Sequence, residues 1–336
     1  MRVLFLIKSG YTPSSRIRVA DILPLLRTGG VDASIEIIPS GTWAKLKLFS
    51  GISSYDAVVL QKRLLKLPDF MLLRSRAKRL IFDFDDAIYF KNASPSEKLA
   101  DYNSFTRKRL FGRTIRNSDL VIAANSVLAA AAEPLCGKEK IRIIPSTVDT
   151  SSIAAKTNYS LSSPPVIGWT GTKSTLRYLE FIAPALRKTA FIHDFVLRII
   201  ADKEIQIPGV KTEFVKWELE DQYERIRSFD IGIMPLSADP FSEGKAAYKL
   251  IQYMACGVPS VCSSVGMNAE AADNGKCAIA ASSCEEFSDG LCKILEDESL
   301  RKKLGNNARK SVEEKYSIKA AARLWLDILE SLETCT

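Results

Sequence analysis

Short apolar runs rich in β-branched residues recur along the whole chain, each separated from the next by a stretch long enough to hold a helix. Strands joined by connections of that length pair in parallel, because a hairpin turn cannot make the crossover. In the first half the expected strands are Val3–Ile7, Ser34–Ile38, Ala57–Gln61, Leu80–Phe84, Leu120–Ala123 and Arg142–Ile144. Helices are expected over Arg18–Thr28, stopped by Gly29-Gly30, and over Ser96–Arg116. A second series follows: Val166–Trp169, Val196–Ile200, Thr212–Val215, Ile231–Pro235, Ser260–Cys262 and Ala278–Ala280. The pattern is that of an α/β protein with two doubly wound domains in tandem.

A chain of 336 residues is long enough for two such cores. The break falls at Ser146–Pro165, a stretch rich in Ser, Thr, Asn and Pro. The expected division is therefore a first domain over 1–150, a linker over 151–165, a second domain over 166–317, and a terminal helix over 318–336 that can pack back on the first domain. In that helix Ala321, Leu324, Trp325, Ile328 and Leu332 form the expected apolar side.

No apolar run reaches the roughly 18 residues that span a bilayer, and Arg2–Ile7 is too short for a signal-peptide core. The seven cysteines are odd in number and form no CxxC pair, which suits reduced thiols in a cytoplasm. Residues 1–150 hold 24 Lys and Arg against 14 Asp and Glu, whereas the rest holds 23 against 25, so the basicity belongs to the first half. It is densest over Lys62–Arg79 and Arg107–Arg116. Such a surface suits an anionic membrane or phosphorylated substrates, and a merely solvated face stands beside that reading. Nucleic acid is not expected, because the basic stretches lack interleaved aromatics and match no reader module. The expected location is cytoplasmic, peripheral at the inner membrane face.

The most specific stretch is FSEGKAAYKLIQYMACGVP, Phe241–Pro259. It reads as a polar loop, a helix ended by Gly257, a proline that forbids continuation, and a buried strand. Its loop and first turn expose backbone N–H groups and Lys245, an arrangement that holds an anionic diphosphate. Together with the following SVCSSVG it resembles the donor-domain signature of retaining glycosyltransferase family 4, whose architecture is GT-B: two Rossmann-like domains facing across a cleft. IIPSTVD at Ile143–Asp149 is similar to the family's interdomain IPNGVD, and IGWTGTKS at Ile167–Ser174 stands where the family has its Gly- and Lys-bearing phosphate loop.

The chain also departs from that pattern. The family's two glutamates lie eight positions apart, and the second place is Gln252 here, while the nearest upstream acid, Glu243, is one residue out of register. Gly244-Lys245 substitutes for part of the acidic motif. Lys173 can neutralise charge on a departing nucleoside diphosphate, with a surface lysine opening a helix as the plainer reading. The GTKST spacing does not make a P-loop.

FDFDD at Phe82–Asp86 puts Asp83, Asp85 and Asp86 at the carboxyl end of a strand, the edge where open α/β sheets bind ligands. Asp85 and Asp86 are read as acceptor-hydroxyl or loop-organising groups, or as a helix cap. SGYTPSSRIR at Ser9–Arg18 combines Gly10 with Arg16 and Arg18, whose guanidinium forks suit a phosphate on an acceptor; helix solubility also accounts for them. The one histidine, His193, removes Ser-His-Asp, Cys-His and His-rich metal sites from consideration.

The resemblance implies a retaining, hexosyltransferase-like enzyme of the kind that builds polysaccharides. It would move a sugar from a nucleoside-diphosphate donor to a glycan or lipid-linked acceptor. Catalytic roles fall to Lys173, Lys245, Asp85 and Asp86, and donor binding to Gly171, Thr172, Lys173, Glu243, Gly244, Lys245 and Gln252. Acceptor binding falls to Gly10, Arg16 and Arg18. No metal or other cofactor is expected, the nucleotide sugar being a co-substrate. The departures support an alternative, a catalytically degenerate homologue that binds an anionic surface or assembles with partners.

Overall fold

Each of the twelve apolar runs forms a strand, within a residue or two of its expected bounds, in the computed structural model, which describes residues 1–10, 12–91 and 99–334. The first six are β1 (Arg2–Ile7), β2 (Asp32–Ile37), β3 (Ala57–Gln61), β4 (Leu80–Phe84), β5 (Leu120–Ala123) and β6 (Ile141–Ile143). They pair in the order β2-β1-β3-β4-β5-β6. The second six are β7 (Val166–Thr170), β8 (Val196–Ala201), β9 (Thr212–Lys216), β10 (Ile231–Met234), β11 (Ser260–Ser263) and β12 (Ile279–Ala281), in the order β12-β11-β10-β7-β8-β9. Every pairing is parallel. The central strands are buried on both faces, which is why they read as unbroken apolar runs, while edge strands β2 and β9 are half exposed.

The chain divides into two units. Unit 1 holds Met1–Thr147, Gly244–Ala246 and the chain from Ile318 onward; unit 2 holds Val148–Glu243 and Ala247–Ser317. The strand order reverses between β1 and β3 in unit 1 and between β7 and β10 in unit 2. At such a reversal the flanking loops part and leave a crevice beyond the carboxyl ends of the strands.

Three expectations are corrected. The 151–165 segment is no free linker but an extended part of unit 2: Lys156 donates to the carbonyl of Phe229 (2.7 Å), Ser162 N to Asp230, and Arg309 to the carbonyls of Thr150 and Ile153. Ile153 and Tyr159 are buried while most of the polar residues between them and beyond stay exposed, so the composition resembles that of a linker and the packing of the segment is invisible in sequence. The Arg18–Thr28 helix is built in pieces, Pro13–Ser15, a π-turn over Arg16–Ala20 and Leu23–Thr28, with Pro24 in the first turn of the last. The Ser96–Arg116 stretch forms helices Leu99–Tyr102 and Phe105–Arg116, its residues before Leu99 lying outside those described.

The terminal helix, Ile318–Thr334, covers the unit 1 sheet. Ala321, Ala322, Trp325, Ile328 and Leu329 are buried, while Leu324 is 40% exposed and does not share the apolar side expected of it. Trp325 meets Phe5 of β1 edge-on, centroids 5.6 Å apart. Among the described residues no helix is long and apolar enough to cross a membrane.

Trp325 is one of the two largest fully buried side chains. Trp325→Ala is expected to destabilise unit 1 by about 3–5 kcal/mol, read from the denaturant dependence of unit 1 unfolding; a loss below about 1 kcal/mol would remove the helix from the core.

Candidate functional site

In unit 2 the crevice at the strand reversal is bordered by the loop after β7. Gly171 is required there: a Cβ would lie 2.3 Å from the Trp169 ring and 2.8 Å from Cε of Lys249. Thr172 caps the short turn Lys173–Thr175 through reciprocal bonds with Thr175. The backbone N–H groups of this loop are already engaged: Gly171 with the carbonyl of Ile200, Thr172 with Oγ1 of Thr175, Lys173 with Asp202. Gly171 and Thr172 therefore do not form an open amide cradle, and an anion arriving here meets side chains.

Two lysines supply them. Lys173 is exposed on the loop. Lys249, in the first turn of helix Tyr248–Ala255, places Nζ 3.3 Å from Oγ1 of Thr175 and 5.1 Å from the centroid of the buried Trp169 ring. Lys249 was missed by sequence reasoning, which chose Lys245. The available signal was spacing: Lys249 precedes Gln252 by three residues, so the two share a helix face. Lys245, with Gly244, groups instead with unit 1.

The loop after β10 is built around Asp239. Its buried carboxylate accepts four hydrogen bonds, from the N–H groups of Phe241 and Ser242 and the hydroxyls of Ser237 and Ser242. Tyr178 reaches Ser242 as well (2.8 Å). This hub holds Glu243, whose carbonyl would lie 2.2 Å from a Cβ at Gly266. Gly266 also has φ +49°, so SSVG closes against the loop through its glycine. The helix that follows starts from Ala247 in a left-handed conformation (φ +49°) and stops at Gly257 (φ +67°), where Val258 N bonds back to the carbonyl of Tyr253.

Gln252 is buried on that helix. Its amide donates to Oε1 of Gln222 (3.1 Å), and Gln222 donates to the carbonyl of Leu219 (3.2 Å). The relay ties the helix to the loop after β9, which presents Trp217 and Leu219 to solvent. Gln252 thus has a positioning task that its place in the motif did not reveal.

In unit 1 the crevice beside β1 and β3 holds a charged cluster. Lys62, left-handed at φ +50°, leaves β3 and pairs with both Asp85 (2.8 Å) and Asp86. Ser14 donates to Asp85 (2.6 Å), and Gln61 links Ser14 to Ser15. Burial pushes Asp85 up, but Lys62 and Arg18 outweigh it and hold the carboxyl below its ordinary value. Lys62 is desolvated too, yet the two carboxylates raise it. Asp85 and Asp86 organise this loop, and Asp86, paired on one side, keeps partial access to solvent.

Arg18 does not reach a ligand. It is buried, bonded through Nε and Nη2 to Asp83 and through Nη1 to the carbonyl of Ile144. A buried guanidinium demands such a partner, so its acceptor role is corrected to a structural one. Arg16 lies 3.6 Å from Asp21 on the surface, and Gly10 has open space around it. His193 pairs with Glu296 (3.0 Å) at a helix end, apart from these loops in unit 2.

Residues 209–311 match the family described as glycosyl transferases group 1. No curated protein matches the chain significantly. Among solved structures it is similar to sucrose-phosphate synthase from Thermosynechococcus elongatus (TM-score 0.79, 14% identity, all of both chains covered). HepE of Anabaena, in complex with UDP, has TM-score 0.74 at 14% identity over 98% of this chain and 100% of that one. WaaG, a glycosyltransferase involved in lipopolysaccharide biosynthesis, has TM-score 0.66 at 14% identity over 97% and 99%. At these identities the likeness is one of fold: two Rossmann-like units in the GT-B architecture.

Two outcomes follow from the polar clusters. Gln252→Glu places a carboxylate against Oε1 of Gln222, so the protein should lose about 1–3 kcal/mol of stability, more at pH 8 than at pH 5, where the new acid can protonate and donate. Equal melting of variant and wild type at both pH values would dismiss the relay. For Asp85, whose folded pKa is lowered, the stabilisation is complete above the unfolded value of about 3.9 and vanishes as pH falls through the folded one. Wild-type unit 1 should therefore weaken below about pH 4, and Asp85→Asn should start less stable and lose less over that window in a pH series of unfolding midpoints.

Proposed function

We propose that this protein transfers a sugar from a uridine-diphosphate donor, held by unit 2, to a hydroxyl of a glycan or lipid-linked acceptor, with retention at the anomeric carbon. The observation that carries the reading is the placement of Lys173 and Lys249 around a glycine-pinched loop at the strand reversal, within a chain whose 209–311 segment matches group 1 glycosyl transferases. Uridine is favoured because HepE, similar in fold, is described in complex with UDP, UDP-glucose, and UDP and glucose.

In this reaction the bond between the anomeric carbon and the diphosphate oxygen breaks while the acceptor oxygen bonds to the same face. The acceptor proton passes to the departing diphosphate oxygen. The demand on the protein is stabilisation of the charge growing on the diphosphate. Lys173 and Lys249 meet it. Glu243, fixed through the Asp239 hub, takes the sugar hydroxyls. Gln252 and Gln222 hold the loop carrying Trp217 and Leu219 for the nucleotide's base and ribose. Asp86 and Asp85 take the acceptor side.

No metal is needed in this scheme. The place between Asp85 and Asp86 where a divalent ion would bind is taken by the ammonium of Lys62. Two lysines take over the ion's task at the diphosphate.

With UDP-glucose as donor and UDP release as readout, Lys173→Ala and Lys249→Ala should each lower turnover by about two to three orders of magnitude at unchanged melting temperature, and EDTA should leave wild-type turnover intact. Near-wild-type rates in both variants would remove them from the site. Loss of rate on chelation, restored by Mn²⁺, would overturn the metal-free scheme. A chain whose melting is unmoved by UDP-, GDP-, ADP- and dTDP-sugars would point to the degenerate homologue.

A further inference from the structure

Three of the more exposed apolar side chains of unit 1 lie at one edge, with Met71, 57% exposed, one turn further along the helix that Leu67 opens. Trp43 is 86% exposed, Phe105 82% and Leu67 52%. They open three different helices, Thr42–Gly51, Leu67–Arg76 and Phe105–Arg116, each lying in a crossover between parallel strands: β2 to β3, β3 to β4 and β4 to β5. A helix that follows a parallel strand runs back against it, so its first turn lies at the carboxyl edge of the sheet. Ile37, the half-exposed last residue of β2, ends at that edge as well. The three crossovers pass on the same side of the sheet, because they advance in the same direction with the same hand. Lys45 to Asp69 (2.6 Å) joins the first helix to the second, and Arg113 over the ring of Phe70 (5.2 Å) joins the third to the second.

The charge on these helices is one-sided. They hold nine Lys and Arg against Asp69 alone, and that acid is neutralised by Lys45. Lys47, Lys66 and Lys108 stand exposed within a turn of Trp43, Leu67 and Phe105. Isolated apolar residues on a surface need no explanation, but aromatic and aliphatic side chains at one rim, each flanked by cations, fit a solvent that is apolar inside and anionic at its face.

We propose that this edge of unit 1 docks on an anionic lipid bilayer, Trp43, Leu67 and Phe105 entering the headgroup region and the surrounding lysines and arginines binding lipid phosphates. It would bring the Ser14, Lys62, Asp85 and Asp86 cluster, on the same edge of the same sheet, next to the membrane surface. The occupant is a membrane rather than a nucleic acid because the aromatics lie on separate helices at one rim, not along a groove that tracks a strand. The Lys62–Arg79 stretch singled out by its sequence contributes one helix, Leu67–Arg76, with Lys66 at its cap and Pro68 in its first turn; the surface is made by three crossovers together.

The test uses the full chain with vesicles of phosphatidylcholine, alone or mixed with phosphatidylglycerol, without donor or acceptor, so its outcome is independent of the transfer reaction. Binding to the mixed vesicles should exceed binding to phosphatidylcholine by at least about tenfold and fall steeply with salt. Trp43 emission should shift to the blue on binding, and Trp43→Phe should abolish that shift. Trp43→Ser with Leu67→Ser and Phe105→Ser, and separately Lys47→Glu with Lys108→Glu, should each weaken binding by about tenfold or more at unchanged melting temperature. Equal binding to both vesicle types, no binding to either, or variants that bind as wild type would overturn the proposal. So would a single-stranded RNA that competes fully for the protein and binds the serine variant undiminished.

Discussion

Parallel pairing governs this molecule before any side chain does. All strands of a unit run in one direction, so every strand-to-helix loop emerges at the carboxyl edge, and the single hand of the crossover decides which face each helix covers. With six parallel strands in each unit, this constraint gathers Lys62, Asp85 and Asp86 at one edge of unit 1. In unit 2 it gathers Lys173, Asp202, Trp217 and Asp239 in the same way. Residues far apart in the chain converge without any long-range contact being selected one at a time. The reversal of strand order then decides which of these loops part to leave room for a ligand.

The two edges treat charge differently. In unit 1 the charges largely answer one another: Arg18 with Asp83 inside, Lys62 with Asp85 and Asp86 nearer the surface. Removing one partner of the inner pair would strand a buried charge, a loss several-fold larger than the pair's own net contribution. In unit 2 the acids near the lysines are already committed, Asp239 to four donors and Asp202 to the backbone of Lys173. The first arrangement stabilises a loop; the second leaves cationic character for an incoming anion.

The fold was legible almost strand by strand, because a parallel sheet covered on both faces must draw on continuous apolar runs, and such runs survive in a single sequence. Roles of charged residues were not legible in the same way. Arg18 is one turn from Ser14, and nothing in SSRIR tells which of its arginines turns inward to Asp83. Lys245 and Lys249 are four residues apart in one polar stretch, and the choice rests on where the helix begins. It begins at Tyr248, after the left-handed Ala247, and an alanine gives no hint of such a conformation. Ser146–Pro165 reads as a linker because the groups that hold it, Asp230, Arg301 and Arg309, lie 65 or more residues downstream in the folded unit.

On the proposed reading, the position of Lys249 lets the loop after β7 receive a diphosphate without open backbone amides. An ammonium on a mobile surface stem must be ordered when the anion binds, which offsets part of the attraction. Lys249 starts from a buried helix turn, its ammonium over Trp169 and hydrogen-bonded to Thr175. The ring and the hydroxyl hold the cation in place, and neither carries a formal charge. Gly171 completes the arrangement from the other side, its missing Cβ being the space that the Trp169 ring and the Lys249 stem occupy. Charge that develops on a leaving diphosphate would then meet a dipole and cation already oriented, and orientation prepared in advance is what makes electrostatic stabilisation effective in a transition state.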